Sequence, residues 1–125
     1  MSILEAMEQV LAQMAADEEY PFSGGVYYGI CTADDLTEWN YFVFARTEEE
    51  ITNDKSATSH YVVDIVHEDY VKEGFIYEVI RTIKEAIPGL SVAGRASHTY
   101  DTKGKTSVRV EMVTIPFKKA GKQNV

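Results

Sequence analysis

Thr58-Ser59-His60-Tyr61-Val62-Val63-Asp64-Ile65-Val66 is the stretch on which the fold turns. Its residues alternate with period two. Tyr61, Val63 and Ile65 fall on one face, and His60, Val62, Asp64 and Val66 on the other. That period belongs to a β-strand, and the valines on the second face point to a strand partly covered on both sides. Downstream, His67-Glu68-Asp69-Tyr70 leads into a helix predicted over about Lys72 to Ile87, whose stripe is Phe75, Ile76, Val79, Ile80, Ile83 and Ile87. Pro88-Gly89 ends it. Upstream, Trp39 to Arg46 is rich in aromatic and β-branched residues and reads as another strand. The two strands are separated by Thr47 to Ala57, which is polar and reads as a mobile loop whose ends extend the flanking strands.

Working outward, Gly25 to Cys31 is a short strand candidate, followed by a turn at Ala33-Asp34-Asp35. Before it, Tyr20-Pro21-Phe22-Ser23-Gly24-Gly25 breaks a first helix predicted over Ser2 to Ala16. That helix opens with the capping pattern Ser2-x-x-Glu5 and carries Ile3, Leu4, Met7, Val10, Leu11 and Met14 at helical spacing. On the C-terminal side, Leu90 to Ala93 and Ala96 to Tyr100 lead to a turn at Asp101-Thr102-Lys103-Gly104-Lys105. The longest strand candidate, Thr106 to Lys118, follows, and residues 119–125 read as a flexible tail. The order is α-β-β-β-α-β-β. The expected fold class is α+β: one domain over residues 1–125, with a mainly antiparallel sheet of about five strands and both helices packed on one face.

Composition narrows the function classes. The chain of 125 residues is 45% hydrophobic, with eight Tyr and five Phe, which is globular composition. A single cysteine, Cys31, excludes an internal disulfide and a cysteine-built zinc site. Met1 to Ala16 lacks a basic leader region, and Glu5 and Glu8 interrupt its apolar run; no stretch has the length of a membrane span. The expectation is a cytoplasmic protein without a membrane partner. A net charge of −8 argues against general or sequence-specific nucleic-acid binding. The charge is divided along the chain. Residues 1–94 are strongly acidic, whereas Arg95, Lys103, Lys105, Arg109, Lys118, Lys119 and Lys122 make the last part basic. This division suggests a dipolar subunit whose basic end meets a neighbour's acidic face.

Catalytic spacings are absent from the sequence: no dinucleotide or phosphate-loop glycine pattern, no H-E-x-x-H, no G-x-S-x-G and no C-x-x-C. Ser23-Gly24-Gly25 reads as turn geometry, since a strand and not a helix follows it. His60, Asp64, His67 and Glu68 lack metal-ligand spacing on a strand, because His67 falls on the face opposite to His60 and Asp64. Cys31 reads as a small packed side chain, and no local histidine motif activates it. The run Glu48-Glu49-Glu50 does not imply a paired acid–base site. The expectation is a protein that is not an enzyme and that holds no cofactor or metal.

Several stretches together resemble the tail completion (tail terminator, head–tail joining) proteins of long-tailed bacteriophages and prophages. They are the acidic stretch Thr47 to Ala57, Ser59 to Ile65 followed by Glu68-Asp69-Tyr70, and Tyr100 to Lys105 with Val110-Glu111-Met112-Val113. The resemblance covers nearly the whole chain and is one of architecture and texture. It implies a small α+β subunit with a long loop between two strands, six copies of which form a ring at the end of the tail tube. The implied partners are other copies of the chain, the tail tube protein and a head-side connector or stopper. The implied location is the host cytoplasm during assembly and the head–tail junction of the virion afterwards. On this reading the candidate subunit-contact residues are Glu48, Glu49, Glu50 and Asp54 in the acidic loop, with Lys103, Lys105 and Arg109 in the basic hairpin. Two other readings stay open. One is a small-molecule or metal-binding regulatory domain with Tyr27, Tyr28, Trp39, Tyr41, His60 and His67 lining a pocket. The other is a minor hydrolase using Cys31 or a carboxylate.

Overall fold

A computed structural model describes residues 2–19 and 22–120. The elements are α1 (Ile3–Ala15), β1 (Gly25–Tyr28), β2 (Tyr41–Thr52), β3 (Lys55–Glu68), α2 (Phe75–Ala86), β4 (Ser91–Val92), β5 (Ser97–Thr102) and β6 (Arg109–Ala120). The class is α+β, with two helices against one mostly antiparallel sheet of six strands. The sheet runs β1-β2-β3-β6, and both β4 and β5 pair with the far edge of β6. Residues 119–120, expected in a flexible tail, belong to β6; residues 121–125, expected there too, lie outside the described residues.

The alternation of residues 58–66 sets the core. Tyr61, Val63 and Ile65 turn toward the helices, and register carries the pattern sideways. Phe44 pairs with Val63 and Val63 with Ile115; Phe42 pairs with Ile65 and Ile65 with Val113; Tyr61 pairs with Phe117. Onto these rows α1 packs Met7, Val10 and Leu11, and α2 packs Phe75, Val79 and Ile83, all in one buried cluster. Phe22, just before β1, stacks on Phe42 at 4.4 Å and on Phe75 at 5.3 Å between ring centroids, tying α2 to β2. At α1 the capping box forms as expected: the Ser2 hydroxyl accepts the Glu5 backbone N–H at 3.1 Å, and the Glu5 carboxylate accepts the Ser2 N–H at 3.4 Å. α2 starts later than expected, at Phe75. Gly74 before it is left-handed (φ 89°) and supplies no capping side chain.

Two expectations change. The polar stretch 47–57 is not an open loop. β2 and β3 continue through it and turn only at Asn53-Asp54. Both turn residues have positive φ (53° and 61°), the backbone that a two-residue hairpin turn demands and that Asn and Asp tolerate. The arm escaped the periodicity argument because it extends past the core: residues 46–54 are exposed, so no alternation is imposed on them. The second change concerns β1. It lies parallel to β2, Gly25 opposite Tyr41 through Tyr28 opposite Phe44, so the connection through Ala33-Asp34-Asp35 is a crossover and not a hairpin turn. The sheet of six strands agrees with the expected mainly antiparallel sheet of about five; the added strand arises because β4 and β5 separate at Gly94.

Pro116 sits inside β6 without breaking a rung to β3. Its carbonyl accepts the N–H of Ala93, so its backbone faces the side between the β4 and β5 pairings, where the missing N–H is tolerated. The burial pattern yields a stability prediction. Truncating the fully buried Phe117 to Ala is expected to cost about 3–5 kcal/mol. Removing the exposed cap with Ser2→Ala is expected to cost about 1 kcal/mol. Urea unfolding of the two variants beside the parent checks both the order and the gap.

Candidate functional site

β6 runs the length of the sheet, and this decides where the candidate contact residues stand. Glu48, Glu49 and Glu50 pair with His60, Ser59 and Thr58 on β3, and those pair with Lys118, Lys119 and Ala120 on β6. Lys103, Lys105 and Arg109 lie at the opposite end of β6, where Arg109 pairs with Thr102. Arg109 and Lys118 are roughly 30 Å apart along the strand at about 3.4 Å per residue. The basic residues of the last third are thus dealt to both ends of the sheet. Charge that is divided along the sequence is not divided the same way in space: Lys103, Lys105 and Arg109 stand at one end of the sheet and Lys118 and Lys119 at the other, while Lys122 lies outside the described residues.

The two sets also differ in how they are engaged. The bulge between Arg46 and Glu48 resets the faces, so Glu48 and Glu50 project on the face away from the helices and Glu49 on the helix side. Glu49 meets Arg46 at 4.0 Å and Glu50 meets His60 at 3.8 Å, both loose and exposed contacts. Asp54 is exposed in the turn. β1 pairs with β2 only as far as Phe44, so from Ala45 to Thr52 one edge of β2 has no strand beside it among the described residues. At the other end Lys103 is taken up by the Glu68 carboxylate and the Thr37 carbonyl. Arg109 is bound to Asp69 at 2.7 Å. Lys105 is exposed and has no ion-pair partner among the described residues. Lys103 therefore fastens the chain to itself through a half-buried pair, whereas Arg109 and Asp69 form an exposed one. The Lys103 ammonium, followed by the backbone N–H of Trp39, holds Glu68 below its usual range.

The sheet face away from the helices carries Tyr27, Tyr41, Val43, Val62, Asp64, Val66, Val110, Met112, Thr114 and Pro116. Val43, Val66 and Val110 are buried on it, and most of the rest are half-buried. A cleft of about 270 Å³ opens on this face between Trp39, Tyr41, Val66 and Met112 on one flank and Thr99, Tyr100 and Asp101 of β5 on the other. Of the residues expected to line a ligand pocket, Trp39 and Tyr41 meet here. Tyr28 turns to the opposite face, against Phe44. His60 stands at the far end of the sheet, and His67 packs edge-on against Phe22 on the helix side. No group of three His, Cys, Asp or Glu is placed to share a metal ion among the described residues. Cys31 is half-buried, with its sulfur 3.8 Å from the Ala33 carbonyl.

Sequence reasoning missed Glu111. Alternation places it on the helix face with Val113, where it is only 5% exposed, and it accepts hydrogen bonds from His98 at 2.8 Å and from the Val71 backbone at 2.6 Å. A charged residue in phase with core positions was the available signal. Burial pushes its carboxyl up, but the bonds from His98, Val71 and Tyr100 outweigh this and hold it below the usual range.

No protein-family model matches the chain, and no curated protein matches it. One solved structure superposes over 98% of this chain and 96% of its own, with a TM-score of 0.51 and 11% identity. That likeness concerns the fold alone.

Asp64 yields a test of the helix-free face. Burial raises its carboxyl above the ordinary value, partly offset by the Thr114 hydroxyl, which donates to it at 2.7 Å. An acid whose folded pKa is raised favours the folded state when protonated, and that contribution is lost as pH rises from the unfolded value through the folded one. Above the ordinary carboxylate range Asp64 therefore costs stability. Asp64→Asn, which keeps an acceptor for Thr114, is expected to raise the Tm by a few degrees at pH 7. The gain should shrink toward zero as thermal melts are repeated nearer pH 3.

Proposed function

We propose that the chain is a structural virion-assembly subunit of a long-tailed phage or prophage, forming a ring at the tail end that terminates the tail tube and joins it to the head. The observation that carries this reading is the long β2–β3 hairpin arm, acidic and unpaired along the outer edge of β2, on an α+β body with helices on one face. The resemblance implies a long, mobile loop between two strands; the arm stands where that loop was expected and supports the reading as a projecting segment. It is a stiffer device than the expected mobile loop, so less entropy is lost when it is engaged. Its exposed Ile51, 68% accessible, gives the arm an apolar end among glutamates. Exposed Tyr70, Tyr100 and Val108 supply apolar surface at the opposite end of the sheet.

A contact between opposite ends of two copies is heterologous, and such contacts close into rings when the rotation between copies allows it. On this reading the further partners are the tail tube protein and a head-side connector or stopper. The subunit acts in the host cytoplasm during assembly and at the head–tail junction in the virion, without catalysing a reaction. A second reading is favoured by the Trp39–Tyr41–Met112 cleft: a small-molecule-binding regulatory domain.

Negative-stain electron microscopy and light scattering across a concentration series, with and without purified tail tubes, test the first reading. Rings, or particles capping tube ends, are expected, and Glu48→Lys with Glu50→Lys should reduce them at least tenfold. Monomers at every concentration together with bare tube ends would refute it. Thermal-shift screening that raises the Tm with a ligand lost in Trp39→Ala would favour the cleft reading.

A further inference from the structure

Glu111 is the only carboxylate buried to this degree among the described residues, and its partners come from two separate segments. Oε1 accepts the backbone N–H of Val71, in the connection that leads into α2, at 2.6 Å. Oε2 lies 2.8 Å from Nδ1 of His98 on β5, and the Tyr100 hydroxyl of the same strand also bonds to the carboxylate. Its cross-strand neighbour on β3 is His67. Beside it on β6, Arg109 grips Asp69 of the same connection, and beyond that Lys103 grips Glu68.

Beyond its backbone pairing with β6, β5 leans on this anchoring, whereas the connection also has Val71 in the buried cluster. All six residues of β5 are exposed and none belongs to the buried cluster. The connection enters α2 through Asp69, whose φ of 70° is unusual for a side-chain-bearing residue, and through the left-handed Gly74, with no capping side chain at the helix start. An ionised carboxylate only accepts hydrogen bonds, so it suits all three donors at once. A neutral carboxyl must place its own proton and gives up part of that set.

We infer that the Glu111 carboxylate is an acid-sensitive fastener, holding β5 onto the end of β6 and releasing it on protonation while the helix–sheet core stays folded. The direction follows from linkage. A depressed carboxyl contributes its stabilisation above the ordinary glutamate value and loses it as pH falls through the folded value. Among the described residues no other acid is buried to this degree in the strands of the cluster, so they outlast the release. Release would also free the turn that carries Lys103 and Lys105, because it follows β5 directly.

Trp39, the only tryptophan, reports the event, since Thr99, Tyr100 and Asp101 of β5 line its cleft. The experiment is an acid titration from pH 7 to pH 2 that follows Trp39 emission and the far-ultraviolet helix signal together. In the parent, the emission should shift to the red at least half a pH unit above the loss of helix. In Glu111→Gln, the emission should already be red-shifted at pH 7, with helix retained and no separate acid step. His98→Ala removes a bond that holds the carboxyl down, so its step should move to higher pH. Glu68 also bonds the Trp39 backbone, so Glu68→Gln is the control and should keep the step. Coincident transitions in the parent, an unchanged step in Glu111→Gln, or loss of the step in Glu68→Gln would overturn the inference. If Glu111→Gln does not fold, an unmoved midpoint in His98→Ala overturns it.

Discussion

The pairing of β3 with β6 organises everything else in the molecule. The two strands lie side by side from Thr58 opposite Ala120 to Glu68 opposite Val110, and each has further strands on its other edge. Their shared register lines up Val63 with Ile115 and Ile65 with Val113 beneath the helices. A slip of one residue would turn either Asp64 or Thr114 into the core, and the isoleucine of that strand out of it, so burial fixes the register tightly. The helices have stripes to match, but nothing in them selects a position along the sheet until these rows exist.

The same pairing explains why a charge map drawn along the sequence misleads. A strand that spans the sheet carries its neighbours in sequence to opposite ends in space. Lys103 and Arg109 arrive beside Glu68 and Asp69, at the end of β3, and are paired with them there. Lys118 and Lys119 arrive across from the acidic arm. What is left for a partner is shape as much as charge: an arm with one unpaired edge, and a sheet face with buried valines and no helix over it.

Much of the architecture was legible because local pattern and global packing agree. The capping box at Ser2 and Glu5, the stripes of both helices and the alternation of residues 58–66 each report a side that meets the core. Where a segment leaves the core, the pattern stops carrying information. The outer arm of β2 is exposed on every side, so Thr47 to Thr52 reads as loop although it is strand. β5 is exposed throughout, and its residues show no preferred face. The parallel placement of β1 depends on a crossover of irregular residues that no periodicity describes. In the candidate site, the ion pairs of Lys103 and Arg109 and the three bonds of Glu111 join residues far apart in sequence, and only the folded register brings them together.

The Asn53-Asp54 turn has a consequence for the order in which the chain folds. The hairpin it closes is local, with its own turn chemistry, and needs no long loop to be drawn in. The β3–β6 ladder is different, since its nearest pair, Glu68 with Val110, is separated by about forty residues and pays the closure entropy of that span before any rung rewards it. During synthesis the hairpin is complete while the partner of β3 has yet to emerge. In that interval Tyr61, Val63 and Ile65 sit on an open edge, and the neighbouring glutamates and the bulges at Thr47 and Ala57 are what discourage another chain from pairing there first.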